Sequence, residues 1–307
     1  MITFKKINLV LIAAACMLVS CNKKDSVPVA PTFVTFLQSN AELSTFNTLL
    51  DKAGLQTFKE GGGPFTWLVP TNAAFTTAGI TADSIGRMTA GFANYLLTYH
   101  LINARFASID MIALNSFPRT TQQGTAIYVG QNGQNFFING TQILQKDIAI
   151  SSGLVHTLNR VNTPPPIVGN LQSILNRTGQ HSLFIAALTK ANRWAQFSTA
   201  SVFTILAPTD AAMTDAGLTS AVIAAAPVAR VDSIVRYHYF NSLRYFSNDF
   251  GNKQTPQTAL GAGRTITSSE NGAKLKGKTN PSAANVTKTD ILGTNGVVHI
   301  IDALLRY

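Results

Sequence analysis

Apolar residues first recur at helical spacing between Glu42 and Ala53, where Leu43, Phe46, Leu49, Leu50 and Ala53 share a face. Gly54 and the run Gly61-Gly62-Gly63 break that helix. The pattern then changes: Phe65 to Val69 is a short continuous apolar stretch with turn signals on both sides, which predicts a buried strand. Pro70 has no amide proton and cannot continue a central strand. Thr71 or Asn72 then offers a side-chain oxygen to cap a helix that opens with Ala-Ala-Phe, and Gly79 suits its C-terminus. Phe92 to Leu101 reads as a second amphipathic helix. Shorter strands follow, at Thr125 to Val129, Asn135 to Ile138, Gln142 to Leu144 and Leu154 to Val161. Gln131-Asn132-Gly133-Gln134 reads as a hairpin turn centred on Asn-Gly, which favours positive φ. Helices come first and strands gather late, an α+β order and not that of a doubly wound parallel sheet.

The chain repeats this pattern. FTWLVPTNAAFTTAGI at 65–80 returns as FTILAPTDAAMTDAGL at 203–218, with ten of sixteen positions identical. Pro208, Thr209 and Asp210 therefore stand where Pro70, Thr71 and Asn72 stand. Ser44, Phe46, Leu50, Lys52 and Ala53 return as Ser182, Phe184, Leu188, Lys190 and Ala191. Tyr99-His100 and Asn103 return as Tyr237-His238 and Asn241. Near the ends KDIAISSGLVHTLNRV faces TDILGTNGVVHIIDAL, pairing Asp147 with Asp290 and His156 with His299. The second copy carries five extra residues, placed in a hairpin loop around 267–285. So long a period means tandem domains, since solenoid repeats run from about 20 to 50 residues. Thr163-Pro164-Pro165-Pro166 separates the copies and reads as a stiff polyproline connection.

Taken together, Phe-Thr-(Trp/Ile)-Leu-(Val/Ala)-Pro-Thr-(Asn/Asp)-Ala-Ala, Tyr-His at a helix end and Gly-(Leu/Val)-Val-His near the domain end resemble the fasciclin domain. The blocks occur twice and in order, with domains at 32–163 and 167–307 and a linker at 164–166. The resemblance implies a wedge or sandwich of short strands flanked by several helices in each domain. It also implies an adhesion or ligand-binding role without catalytic chemistry. The copies are not equal. Thr157, Asn159 and Arg160 stand where the second copy has Ile300, Asp302 and Ala303, and Met213 replaces Phe75. The two domains are thus expected to present different surfaces.

The first twenty residues read as an export signal: Lys5 and Lys6, then an apolar run from Ile7 to Val19 that is short for a membrane span. Leu18-Val19-Ser20-Cys21 resembles the bacterial lipobox, which implies lipid attachment at Cys21. Residues 21–31 then form a tether at the outer membrane of a Gram-negative cell, on its periplasmic or surface face. Cys16 would leave with the signal, so the domains carry no disulfide and rely on their cores. Net charge is +10, or +8 once Lys5 and Lys6 are gone, and only 12% of residues are charged. A pI near 9.8 raises nucleic acid as a partner. An exported, anchored protein instead meets acidic glycans, anionic lipid heads and cell-surface or matrix components.

Candidate chemistry is sparse. The histidines lack metal-ligand spacing and usable cysteines, so no metal or cofactor is expected. His156 and His299 read as buried, neutral and hydrogen-bonded. Tyr99-His100 and Tyr237-His238 match a pair assigned to integrin contact in some animal members of the family, and Asp147-Ile148 and Asp290-Ile291 match an Asp-Ile motif implicated in adhesion. For each, a role in the fold is the favoured reading and ligand contact the alternative. Lys274, Lys276 and Lys278 alternate, which would put them on one strand face. They either guard a sheet edge or form a basic stripe for acidic glycan. Gln and Asn residues interleaved with Tyr128, Phe136 and Phe137 suit either neutral sugars or a polar hairpin. Trp67 is expected in the core and Trp194 at the surface. No Gly-x-Ser-x-Gly elbow is present, and a hydrolase is the remote reading. The sequence favours a non-catalytic envelope adhesion or ligand-binding protein, with glycan capture as the alternative.

Overall fold

The structure is a computed structural model that describes residues 29–55, 58, 62–112, 118–251 and 253–307. The predicted export signal, Cys21 and most of the tether lie outside the described residues. Each repeat forms one α+β domain. Domain one builds a seven-stranded sheet from β1 (Phe65–Pro70), β2 (Leu101–Ile102), β3 (Pro118–Thr120), β4 (Ala126–Asn132), β5 (Asn135–Ile138), β6 (Thr141–Ile150) and β7 (Gly153–Leu158). Their order is β2-β1-β7-β6-β5-β4-β3. Domain two has β8 (Phe203–Pro208), β9 (Tyr239–Asn241), β10 (Thr267–Ser269), β11 (Lys274–Lys276), β12 (Ala284–Gly293) and β13 (Gly296–Ile301), ordered β10-β11-β12-β13-β8-β9. In both domains the first and last strands lie side by side and parallel, with Phe65 opposite Gly153 and Phe203 opposite Gly296.

The apolar run of β1 is continuous because both faces of the sheet are covered. Trp67 and Val69 point into a helical layer with Phe33, Phe46 and Leu50, while Leu68 points the other way to Tyr99, Ile143 and Leu158. Trp67 stacks on Phe33 with ring centroids 4.5 Å apart, so the core assignment of this residue holds. Trp194 is half-buried against the second core and not a surface aromatic. Pro70 and Pro208 are the last residues of their strands, where the missing amide costs no ladder bond.

Thr71 and Thr209 cap the next helix by accepting from the amides of Ala74 and Ala212. Asn72 and Asp210 have a different task from the one expected. They reach back to the start of an earlier helix, accepting from the Thr45 and Leu183 amides respectively. The paired Thr-Asn and Thr-Asp motifs thus fasten two helices to the end of one strand.

Several expected details change. The hairpin pairs Asn132 with Asn135, so its turn is Gly133-Gln134 and the Asn-Gly step is not central. Phe136 is buried and Tyr128 packs against the second domain, which assigns these aromatics to core and interface. The presumed polyproline connection is a short helix, Pro165–Val168, because proline fits a first helical turn where no amide is needed. The 267–285 region of domain two, where the sequence places the extra residues, contains β10, β11 and the start of β12 and is not a simple loop.

The linker leaves the domains in contact. Tyr128 of β4 packs on Phe246, and Arg244 lies 4.7 Å over the Tyr128 ring. Arg160, just after β7, pairs with Asp290 of β12 at 2.7 Å and also donates to Thr289. Gly140 makes this approach possible: a Cβ there would stand 2.4 Å from the Asp290 carboxyl carbon, and its φ is +74°. Gly140→Ala is therefore expected to separate the domains at this point. Limited proteolysis should cut the 163–170 segment several-fold faster in the variant; unchanged cutting would mean the contact does not hold the domains together.

Candidate functional site

The two domains bury their shared motifs in the same way. The Tyr99, His100, Tyr237 and His238 side chains are fully buried. Each tyrosine ends a helix, Ala90–Thr98 or Val228–Arg236, and donates its hydroxyl to a backbone carbonyl, Ala126 or Thr265. His100 Nδ1 donates to Leu96 O at 2.9 Å, and its Nε2 accepts from the Asn162 amide at 3.1 Å. His238 repeats this with Ile234 O at 2.8 Å and the Leu305 amide at 3.0 Å. Each ring ties a helix end to its domain's C-terminal segment. Burial pulls both histidines down to about 4, against the opposing pull of the helix carbonyls.

The second histidine pair uses the opposite tautomer. His156 Nε2 donates to Phe106 O, and its Nδ1 accepts from the Asp147 amide; His299 does the same with Tyr245 O and the Asp290 amide. These are buried, hydrogen-bonded histidines whose pKa burial also lowers. The bonds require a bulge, because a regular ladder would not aim a strand amide at a side chain. The register of β6 and β12 shifts there, and Asp147 and Asp290 adopt φ values of +59° and +57°. Aspartate tolerates this left-handed backbone better than most residues.

Each bulged aspartate then caps a segment from the preceding loop. Asp147 takes the amide and hydroxyl of Ser108, at the start of the helix Ser108–Ile112. Asp290 takes the amide and hydroxyl of Ser247 at 2.7 and 2.6 Å. Ile148 and Ile291 are half-buried against the two cores. Burial opposes ionisation of both carboxyls. The Ser108 donors hold Asp147 below the usual range, and His299, Arg160 and the Ser247 donors do so for Asp290.

A family model described as the fasciclin domain matches residues 41–164 and again 179–307. The chain belongs to the fasciclin-domain family. Transforming growth factor-beta-induced protein ig-h3 of Sus scrofa is 26% identical over 275 residues, covering 88% of this chain and 37% of that protein. Human periostin is 25% identical over 258 residues, covering 83% and 30%. The fasciclin-like arabinogalactan protein elcF of Phaeosphaeria nodorum is 22% identical over 290 residues, covering 90% and 88%. The chain thus spans less than two-fifths of the two mammalian relatives. Among solved structures, a domain pair of the insect cell adhesion molecule Fasciclin I aligns at a TM-score of 0.41 and 19% identity, covering 88% of this chain and 98% of that one.

The asymmetry of the fasciclin pair lies outside the repeated motifs. The Asp290 side chain is 1% exposed, under Arg160 of domain one. Its counterpart Asp147 is exposed and has no partner from domain two among the described residues. Ile109 and Ile112 are 68% and 52% exposed, and Leu144 of the same bulged strand is 51% exposed. Ile109 follows Ser108 as Asn248 follows Ser247, and Asn248 is buried where its carbonyl meets Asn132 of domain one. One face is therefore an interface in domain two and open in domain one.

The three lysines do not form the expected stripe. β11 lies between β10 and β12, so it is no sheet edge, and it ends at Lys276. Lys274 pairs with Glu270 at 2.5 Å, Lys276 reaches the Pro281 carbonyl, and Lys278 stands in the following turn. Only Lys274 and Lys276 share a strand face. Among the described residues, no three His, Cys, Asp or Glu side chains gather in a way that could hold a metal ion.

Proposed function

We propose that this fasciclin-family chain is a non-catalytic adhesion protein of the bacterial cell envelope, anchored by lipid at Cys21. It binds a cell-surface or matrix component through the open face of domain one. The observation that carries this reading is the exposure of Ile109 and Ile112 on the short helix whose first residue Asp147 caps, with Leu144 exposed on the strand that carries Asp147. The equivalent surface of domain two is already used for protein–protein contact, and domain one offers the same geometry with larger apolar side chains. Exposed apolar side chains gathered on one face mark interaction surfaces. Membership of the fasciclin-domain family supports adhesion in general.

Ile109→Asp together with Ile112→Asp is the direct test, because both side chains project outward and the fold does not depend on them. Cells displaying the double variant should adhere several-fold less well to their surface while the protein melts at an unchanged temperature. Undiminished adherence would overturn the assignment of this face. Incorporation of labelled fatty acid should vanish in Cys21→Ala; labelling that survives would overturn the anchor.

A further inference from the structure

The domain contact leaves a cleft of about 580 Å³ beside the Arg160–Asp290 pair. One wall is domain one, with Thr141, Arg160 and Asn162; the other is the β12 stretch with Lys288 and Thr289. Arg177, on the helix Leu171–Thr178 that follows the linker, also lines it. The volume falls within the roughly 300–1,000 Å³ of small-molecule sites, which favour domain interfaces. Neither domain alone could form it.

Its charge is unbalanced. Arg160, Arg177 and Lys288 line the cleft against a single acid, Asp290, which Arg160 already neutralises. Arg177 and Lys288 form no ion pair among the described residues; Arg177 donates only to the Ile167 carbonyl, at 3.3 Å. Their ends are exposed, so they can turn toward a ligand. The lining also holds an incomplete hydrogen-bond set. Asn162 is 5% exposed, and its Oδ1 accepts from the Thr141 hydroxyl at 2.7 Å. Its Nδ2 has no partner. A buried amide donor without an acceptor is costly, and an acceptor on a ligand would remove that cost. Thr163 adds a hydroxyl, the Thr287 and Thr289 hydroxyls bond the Ile300 carbonyl and Arg160 but can each make a second bond, and Ala74 and Val168 supply apolar surface.

We infer that this interdomain cleft binds a short saccharide carrying a carboxylate, with Arg177 and Lys288 meeting the charge and Asn162 and the threonines meeting hydroxyls. Two separated cations suit an ionised acid, and the hydroxyl and amide groups around them suit a polyol. The site is distinct from the open face of domain one, so either assignment can fail without the other.

Calorimetric titration of the purified two-domain protein at low salt tests this, with digalacturonate as probe and cellobiose as a neutral control. Digalacturonate should bind saturably at one site, and cellobiose at least tenfold more weakly. Arg177→Gln with Lys288→Gln should weaken digalacturonate tenfold or more without changing the melting temperature, because both side chains end in solvent. Lys274→Gln with Lys276→Gln and Lys278→Gln should leave it unchanged. The inference is overturned if digalacturonate does not bind, if cellobiose binds equally well, or if affinity survives loss of Arg177 and Lys288. Arg160 is left intact throughout, since its loss would disturb the domain contact itself.

Discussion

Asparagine in place of Asp290 is expected to destabilise the protein by about 2 kcal/mol, whereas the same change at Asp147 should cost less than about 1 kcal/mol. Urea denaturation of the two variants measures the difference. Asparagine is the informative substitution because both positions have positive φ, where alanine would add a backbone penalty of its own. The two aspartates share a bulge, a histidine and a serine. They differ in surroundings. Asp290 is buried against a guanidinium that is 34% exposed, and Asp147 faces solvent. Neutralising Asp290 removes a charge-assisted bond from a shielded site and leaves Arg160 without its anion. The partial exposure of Arg160 keeps the cost below that of a fully buried pair. Equal destabilisation at both positions would show that the Arg160 contact adds nothing to the shared cap.

Acidification should destabilise both domains well above the carboxylate range. His100 and His238 titrate near 4 in the folded protein and near 6.5 when unfolded. Above pH 6.5 both states hold a neutral imidazole, and the histidines make no pH-dependent contribution. Between 6.5 and 4 the unfolded chain binds the extra proton first, so stability falls as pH falls. The cost levels off below about 4, at roughly 3 kcal/mol per domain from this histidine alone. Geometry gives the same sign. Nε2 of each ring already accepts a backbone amide, so a proton added there would face a donor. Burial lowers His156, His181 and His299 as well, which steepens the slope. Denaturation midpoints measured at pH 7, 5.5 and 4.5 should fall progressively. A flat profile across that interval would rule out neutral buried histidines.

The sequence carried the architecture because the fold repeats local devices. A buried strand, a proline stop and a threonine cap can be read from neighbouring residues, and two copies doubled the signal. Long-range choices were less legible. The hairpin register moved by one residue: Asn132 pairs with Asn135, and Gly133, not Asn132, takes the positive φ of the turn. Three prolines read as an extended connection, but proline also fits a first helical turn, and Pro165–Val168 forms one. Asn72 and Asp210 looked like caps for the helix that follows, and only the tertiary structure brings the earlier helix within reach. The cleft was invisible because Arg160, Arg177 and Lys288 converge from separate elements. One clue was present: Arg160 stands where the other copy has Ala303, and that difference marks the residue on which the domain contact turns.

The parallel pairing of first and last strands has a consequence for how the chain reaches its native state. β1 and β8, FTWLVP and FTILAP, offer nearly the same ladder to a partner that arrives only at the end of each domain. Within a full-length denatured chain, β1 can be captured by β13 as well as by β7. Such a capture builds correct strands into a molecule with exchanged halves, a known failure of tandem repeats. Synthesis from the N-terminus removes the ambiguity through timing, since β7 is complete before β13 exists. The order in which the two copies are made is thus information that the finished fold depends on but does not contain.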